Sequence, residues 1–320
     1  MGLKNSILFT LSDGKPHDRV GICDRWGISE GELDAAVLEM RKDGLMLTNV
    51  GRGNLCWENP SEPLDEAQIK AHLSPACKRL IPSFDLHYSL PSTNQYLCEN
   101  ASLSGEVCLA EKQTQGKGRN GRRWFSPPGQ NIYLSIHWQF AELPQHAGLL
   151  SLAVGIAAAR ALHALGYKDV GLKWPNDLVL RGKKLGGILV DVSSRPGQGM
   201  HLVAGIGLNV AMQISEEIDQ PWISLFAVNP TAAKTRNVCV AKILNEVFNM
   251  LNQFAENGPT YVQTYWPDFD LAAGQEVMII TDGGEATGLG AGIDHQGRFK
   301  LQTKKGLIIF HQAEVSLRLQ

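Results

Sequence analysis

Two prolines three residues apart do most to limit how this chain folds. In Asn59-Pro60-Ser61-Glu62-Pro63 each proline lacks an N–H and disfavours helix in the residue before it. No helix or strand ladder runs through such a segment, which reads as a linker between differently patterned stretches. Before it, Asn5–Leu11 and His17–Trp26 are predicted helices. In Ser29-Glu30-Gly31-Glu32, Ser29 and Glu32 form a capping box, and Leu33, Ala36, Val37 and Met40 repeat as the apolar stripe of a third helix. Leu45–Val50, the turn Gly51-Arg52-Gly53-Asn54 and Leu55–Trp57 predict a small hairpin. Three helices and a hairpin over 1–63 make a winged helix-turn-helix pattern.

Residues 64–271 mix short strands with helices at Leu149–Leu165 and Val240–Asn257. Leu178–Leu180 and Leu185–Val192 flank Arg181-Gly182-Lys183-Lys184 as a predicted hairpin, and His201–Val210 is a further strand. Residues 272–320 carry predicted strands at Glu276–Thr281, Ala286–Asp294, Arg298–Gln302 and Leu307–His311, with hairpin signals at Asp282-Gly283-Gly284 and Lys304-Lys305-Gly306. The class is α+β: an N-terminal winged helix-turn-helix, a central mixed-sheet domain and a small β module.

A hydrophobic share of 43% supplies an ample core, and a net charge of −2 excludes a globally basic nucleic-acid coat and an acidic disordered tail. The cysteines at 23, 56, 77, 98, 108 and 239 form no CxxC pair, and residues 1–13 hold no secretory leader, so reduced core thiols are expected. The apolar run Ala147–Ala159 is broken by glycine and serine and falls short of the roughly 20 residues a bilayer needs. A cytoplasmic protein with no membrane contact is expected.

The segment Glu111–Trp124 holds five Lys/Arg, three glycines and one acid. Glycines let backbone approach a ligand, and the cations neutralise phosphate oxygens; a solvated basic loop is the plainer alternative. Gly116-x-Gly118-x-x-Gly121 matches a dinucleotide fingerprint, but Trp124-Phe125-Ser126-Pro127-Pro128-Gly129 follows where that motif needs a helix, so a Rossmann site is rejected. Lys173-Trp174-Pro175-Asn176-Asp177-Leu178 presents three polar groups braced by proline, either toward a ligand or as a turn. Lys184-Leu185-Gly186-Gly187-Ile188 places a lysine in an apolar strand, suited to a carboxylate or phosphoryl oxygen. In Gly205-Ile206-Gly207-Leu208-Asn209 the asparagine is an adenine reader or a turn former, and Trp222 stacks on a base or caps the core. No P-loop, HExxH or GxSxG motif occurs.

These segments, with Ser92-Thr93-Asn94 at a helix start, stand in the order and approximate spacing of the biotin protein ligases, and the chain resembles that family over essentially its whole length. The resemblance implies a C-terminal SH3-like β-barrel. It also implies an ATP-dependent reaction through biotinyl-5′-AMP, with Mg²⁺ carried on the phosphates and no dedicated protein metal site. The acceptor is then a lysine of the biotin carboxyl carrier protein of acetyl-CoA carboxylase. Lys184 and Arg119 are the implied catalytic residues. Ser92, Thr93, Asn94, Gln113, Gly116, Lys117, Gly118, Arg119, Lys184 and Gly187 are implied to hold biotin. Arg119, Arg122, Trp124, Lys173, Asn176, Asp177, Lys184, Asn209, Trp222 and Arg318 are implied for the nucleotide. Where the family loop commonly reads Gly-Arg-Gly-Arg-Arg-Gly-Arg, this chain has Gly116-Lys117-Gly118-Arg119-Asn120-Gly121-Arg122 and keeps Arg119.

The resemblance extends to biotin-responsive repressors, in which the adenylate is the co-repressor and promotes a homodimer on operator DNA. The candidate recognition helix Ser29–Met40 opens with Glu30, Glu32 and Asp34, and residues 1–65 hold seven Lys/Arg against eleven Asp/Glu. That is poor electrostatics for DNA. Two alternatives stand beside the ligase: a lipoate ligase with the same adenylation logic, and a mainly regulatory adenylate sensor.

Overall fold

The computed structural model describes residues 2–51, 53–142, 144–195, 199–215, 217–281, 284–311 and 316–319, the last four as backbone only. It opens with α1 (Leu3–Leu11), α2 (Arg19–Trp26), α3 (Glu30–Lys42) and the hairpin β1 (Leu47–Val50) and β2 (Asn54–Trp57). The capping box forms as expected: Glu32 N donates to Ser29 Oγ at 3.2 Å and Ser29 N to Glu32 Oε2 at 2.9 Å. Leu33, Ala36, Val37 and Met40 are buried in a core shared with α1, α2 and the hairpin. Arg52, in the predicted turn, lies outside the described residues.

The proline segment forms no helix or strand, yet it is no loose tether. Ser61 donates to Gly129 O, Glu62 N donates to Ala233 O at 2.6 Å, and Leu64 N donates to Glu111 Oε1 at 2.6 Å. Two short helices follow, α4 (Glu66–Ala71) and α5 (Pro75–Leu80).

Next come β3 (Phe84–Leu90), α6 (Thr93–Asn100), β4 (Val107–Gln113), β5 (Ile132–Phe140), α7 (Leu150–Ala164), β6 (Val170–Lys173), β7 (Asp177–Leu180), β8 (Lys183–Arg195) and β9 (Gly199–Leu208). The strands form one mixed sheet in the order β3-β4-β5-β9-β8-β7-β6. Only β3 and β4 pair parallel, across α6; the other neighbours are antiparallel. The β7–β8 hairpin turns on Arg181 and Gly182, at φ 51° and 72°, the left-handed pair that matches strand twist.

Helix α7 and the long α8 (Arg236–Tyr265) pack on one sheet face, and the apolar side of α7 is buried in the core. Sequence placed the end of α8 at Asn257. The helix instead runs through Gly258 and Pro259, because Val262 beyond them is buried and Gly258 leaves room for the His146 ring.

The chain closes with β10 (Glu276–Thr281), β11 (Gly284–Ile293), β12 (Phe299–Thr303), β13 (Gly306–Phe310) and β14 (Ser316–Leu319), antiparallel in the order β13-β12-β11-β10-β14. Asp282 and Gly283 of the predicted turn lie outside the described residues. Sequence missed β14, which pairs with β10. Val277, Ile279, Phe299 and Leu301 share one core with the central sheet. No disulfide forms among the described residues, and of the six cysteines only Cys98 is exposed; burial pushes the Cys77 and Cys239 thiols up to about 12, which leaves them inert.

Arg236 has no exposed surface and pairs with the buried Glu111 at 2.7 Å. Arg236→Met is expected to cost about 3–5 kcal/mol in urea unfolding, because Glu111 is left charged in the interior. Adding Glu111→Leu should recover much of that loss; equal stability of the two variants would show the pair is not what holds this region.

Candidate active site

The face of the central sheet opposite α7 and α8 is bare of side chains along one stripe. Gly187 on β8 lies across from Gly207 on β9, and Gly205 is two residues away along β9. A Cβ at Gly207 would stand 2.6 Å from the Trp124 ring, and one at Gly205 would collide with the Asn94 amide. Both side chains therefore lie flat on backbone, as only glycine permits. Here the sheet floors a cleft of about 1410 Å³.

At one end the groups are neutral and polar. Ser92 caps α6, where Gln95 N donates to its hydroxyl at 3.4 Å, so Thr93 and Asn94 start the helix facing the sheet. Thr93 N and Oγ1 donate to Gln113 Oε1 at 2.9 and 3.2 Å, and Gln113 Nε2 donates to Ser126 Oγ at 3.3 Å. Ser135 on β5 places its hydroxyl 2.7 Å from Thr93 Oγ1 and 2.6 Å from Asn94 Oδ1. Asn94 Nδ2 donates to Asp191 at 2.7 Å. The chain of bonds fixes which amide edges face the cleft.

At the other end cations gather round one carboxylate. Lys173 ends β6, Asp177 begins β7, and they sit opposite each other in register across a turn holding Trp174, Pro175 and Asn176. Asp177 binds Lys184 Nζ at 2.8 Å and Lys173 Nζ at 3.4 Å. The Lys184 ammonium also lies 5.5 Å from the Trp124 ring centre. Arg119 Nη1 donates to Asn176 Oδ1 at 3.4 Å, and Asn176 Nδ2 donates to Ile188 O at 2.9 Å. Burial lowers the Arg119 pKa, against the pull of Asp177. Trp174 anchors the turn from below: its indole N–H donates to Gly297 O at 3.0 Å and its ring lies 5.5 Å from Phe299. Ile280 and Thr281 of the C-terminal sheet complete the wall.

The basic segment folds back on itself, with Trp124 N donating to Gly116 O at 2.8 Å and Gly118 N to Arg122 O at 2.7 Å. After a single 3₁₀ turn at Arg119–Gly121 it runs extended, so no helix follows the glycines, in keeping with the rejected Rossmann site.

Most of the sequence-derived residues line this one cleft: Ser92, Thr93, Asn94, Gln113, Lys117, Gly118, Arg119, Arg122, Trp124, Lys173, Asn176, Asp177, Lys184 and Gly187. Gly116 does not; it packs under Trp124 and Ser126, where a Cβ would lie 2.7 Å from a carbonyl. Asn209 and Trp222 line a smaller adjoining cavity that shares Trp124 and Lys184 with the cleft. Arg318 lies on β14 opposite Met278, and its side chain is outside the described residues. Sequence missed Ser126, Ser135, Asp191 and the wall at Ile280–Thr281. A lone serine in an apolar strand gives no signal of its own.

Comparison with known proteins gives the family. Residues 86–209 match the biotin/lipoate A/B protein ligase family, and residues 273–318 match the biotin protein ligase C-terminal domain. The bifunctional ligase/repressor BirA of Salmonella typhimurium is 34% identical over 317 residues, covering 98% of this chain and 97% of the relative. A biotin–[acetyl-CoA-carboxylase] ligase of Mycobacterium tuberculosis is 33% identical over 262 residues, covering 79% of this chain and 95% of the relative. The Aquifex aeolicus biotin protein ligase, solved in complex with biotin and ATP, superposes with a TM-score of 0.65 at 28% identity, covering 75% of this chain and all of that one. By identity, coverage and fold, the chain belongs to the biotin protein ligase family.

Proposed function

We propose that this chain activates biotin with ATP and joins it to a lysine of the biotin carboxyl carrier protein of acetyl-CoA carboxylase. The observation that carries the reading is the gathering of Lys184, Lys173 and Arg119 around Asp177 and Asn176, beside a glycine-floored slot under Trp124. A carboxylate and a triphosphate repel each other, and this cluster offers three positive charges where they must meet.

A biotin carboxylate oxygen attacks the α-phosphorus of ATP, pyrophosphate leaves, and a mixed anhydride forms. The acceptor's ε-amine then attacks the anhydride carbonyl and AMP leaves. Lys184, a compact charge, bridges the biotin carboxylate and the α-phosphate oxygens, while Asp177 positions it. Lys173, Arg119 and Asn176 face the phosphates. Mg²⁺ accompanying ATP would draw off further negative charge. Ser92, Thr93, Asn94 and Gln113 orient biotin's polar ring; Asn209 reads the base and Trp222 covers it. The basic loop closes over the adenylate and keeps water from the anhydride. We assign 1–63 to a winged helix-turn-helix, 64–271 to the catalytic domain and 272–320 to an SH3-like barrel, in a cytoplasmic enzyme that dimerises on binding its adenylate.

Repression, the second role named for the BirA relatives, is proposed here, as biotin-responsive, only in a weakened form. Glu30, Glu32, Asp34 and Leu38 are exposed along α3. Several cations of the block are engaged within it: Arg19 with Asp34, Lys4 with Glu39 at 2.6 Å, and Arg41 with Leu47 O at 2.7 Å. Such a surface has little to release counterions from phosphates.

Lys184→Ala should abolish adenylate formation while circular dichroism stays native, because one charge is removed and no large cavity is made; full activity would overturn the assignment. In a competition of biotin, lipoate and octanoate with ATP and Mg²⁺, mass spectrometry should find biotinyl-adenylate dominant, and dominant lipoyl-adenylate would favour the lipoate alternative. With biotin and ATP present at physiological salt, the promoter of the organism's biotin genes should show little or no mobility shift. A strong, salt-dependent shift would restore the repressor role.

A further inference from the structure

Two separate segments cover the nucleotide end of the cleft, and one contact joins them. Arg123 of the basic loop places Nη1 2.9 Å from Glu217 Oε2. Both side chains are largely exposed, at 70% and 53%. Arg123 thus differs from Arg119, whose guanidinium turns inward to Asn176.

Resting on the ligase reading above, we propose that Arg123 and Glu217 form an electrostatic latch that holds these segments together and sets how long the activated intermediate is retained. Each segment is also tied to Lys184. Trp124, next to Arg123, lies beneath the Lys184 ammonium. On the opposite side, Lys184 N donates to Pro221 O at 3.0 Å and Ile223 N donates to Lys184 O at 3.0 Å. The contacts therefore close a ring around the small cavity lined by Asn209 and Trp222, and the Arg123–Glu217 pair is its solvent-facing join.

Charge explains why a join is needed. Lys117, Arg119, Arg122 and Arg123 fall within seven residues and repel one another, while Glu217 and Asp219 supply the opposite sign across the gap. An exposed pair is weak, so the latch sets a rate and leaves the chemistry to the groups inside. It acts as a positioning element, with neither side chain among those assigned to substrate.

The test uses the whole protein loaded with biotinyl-adenylate, with release followed after a chase. Arg123→Glu and Glu217→Arg should each speed release roughly two- to fivefold, the range of an exposed ion pair. The doubly exchanged variant should return to the wild-type rate. High salt should bring the wild type toward the single variants, because an exposed pair is screened. Single variants that release at the wild-type rate, or a double exchange that fails to recover it, would overturn the latch. A wild type that forms no adenylate would instead bring down the ligase reading, and the latch with it.

Discussion

A guanidinium with no exposed surface stays charged only if carboxylate and carbonyl oxygens replace the water it has lost. Arg236 meets that demand at its two terminal nitrogens, with Glu111, Asn131 O at 2.6 Å and Glu62 O at 2.6 Å, while its buried Nε has no partner among the described residues. The demand binds together stretches far apart in sequence: the start of α8, the strand β4, the loop before β5 and the proline segment. From Glu111 the next residues along β4 lead outward. Lys112 reaches Asp43 in the N-terminal block at 2.5 Å, and Gln113 reaches Thr93 in the cleft. Asp43 caps the C-terminal end of α3, where its charge opposes the helix dipole, and Lys112 offsets that cost. The Tyr88 hydroxyl shares the same carboxylate at 3.3 Å, and burial, with Asp43 beside it, raises its pKa.

The cleft needs little new charge to receive an anion. Its lysines are already held at 2.8 and 3.4 Å by Asp177, so their side chains are ordered before any substrate arrives. An incoming carboxylate or phosphate then competes with Asp177 for cations that stand in place, and less ordering entropy is lost on binding. The polar end is prepared in the same way, since each group from Asp191 to Ser126 is turned by its neighbour.

Local chemistry was legible in the sequence wherever a few adjacent residues decide the outcome. The capping box of α3, the Arg181-Gly182 turn and the Ser92 cap all form as the residues dictate. Most of the candidate ligand set also falls in one cleft, because glycines and cations close together in sequence leave few other uses. What escaped depends on distant partners. The strand β14 exists through pairing with β10 across the module, and α8 outruns its glycine and proline because residues beyond them are buried. The proline segment reads as a linker, yet it is held down by the hydrogen bonds it donates to Ala233 O, Glu111 Oε1 and Gly129 O. Gly116 is drawn toward the ligand by its company in the sequence; in the fold its missing side chain makes room for Trp124 and Ser126.

Trp174 carries a consequence for how the protein is made. Its indole is fixed by Gly297 and Phe299, residues that leave the ribosome more than a hundred positions later. Domains fold in the order they emerge. Until those residues are made, the turn bearing Asn176 lacks its anchor and the cleft lacks its Ile280–Thr281 wall. Translation order itself withholds a finished pocket, and a chain that stalls before Gly297 carries the charged groups of the cleft without the frame that aligns them.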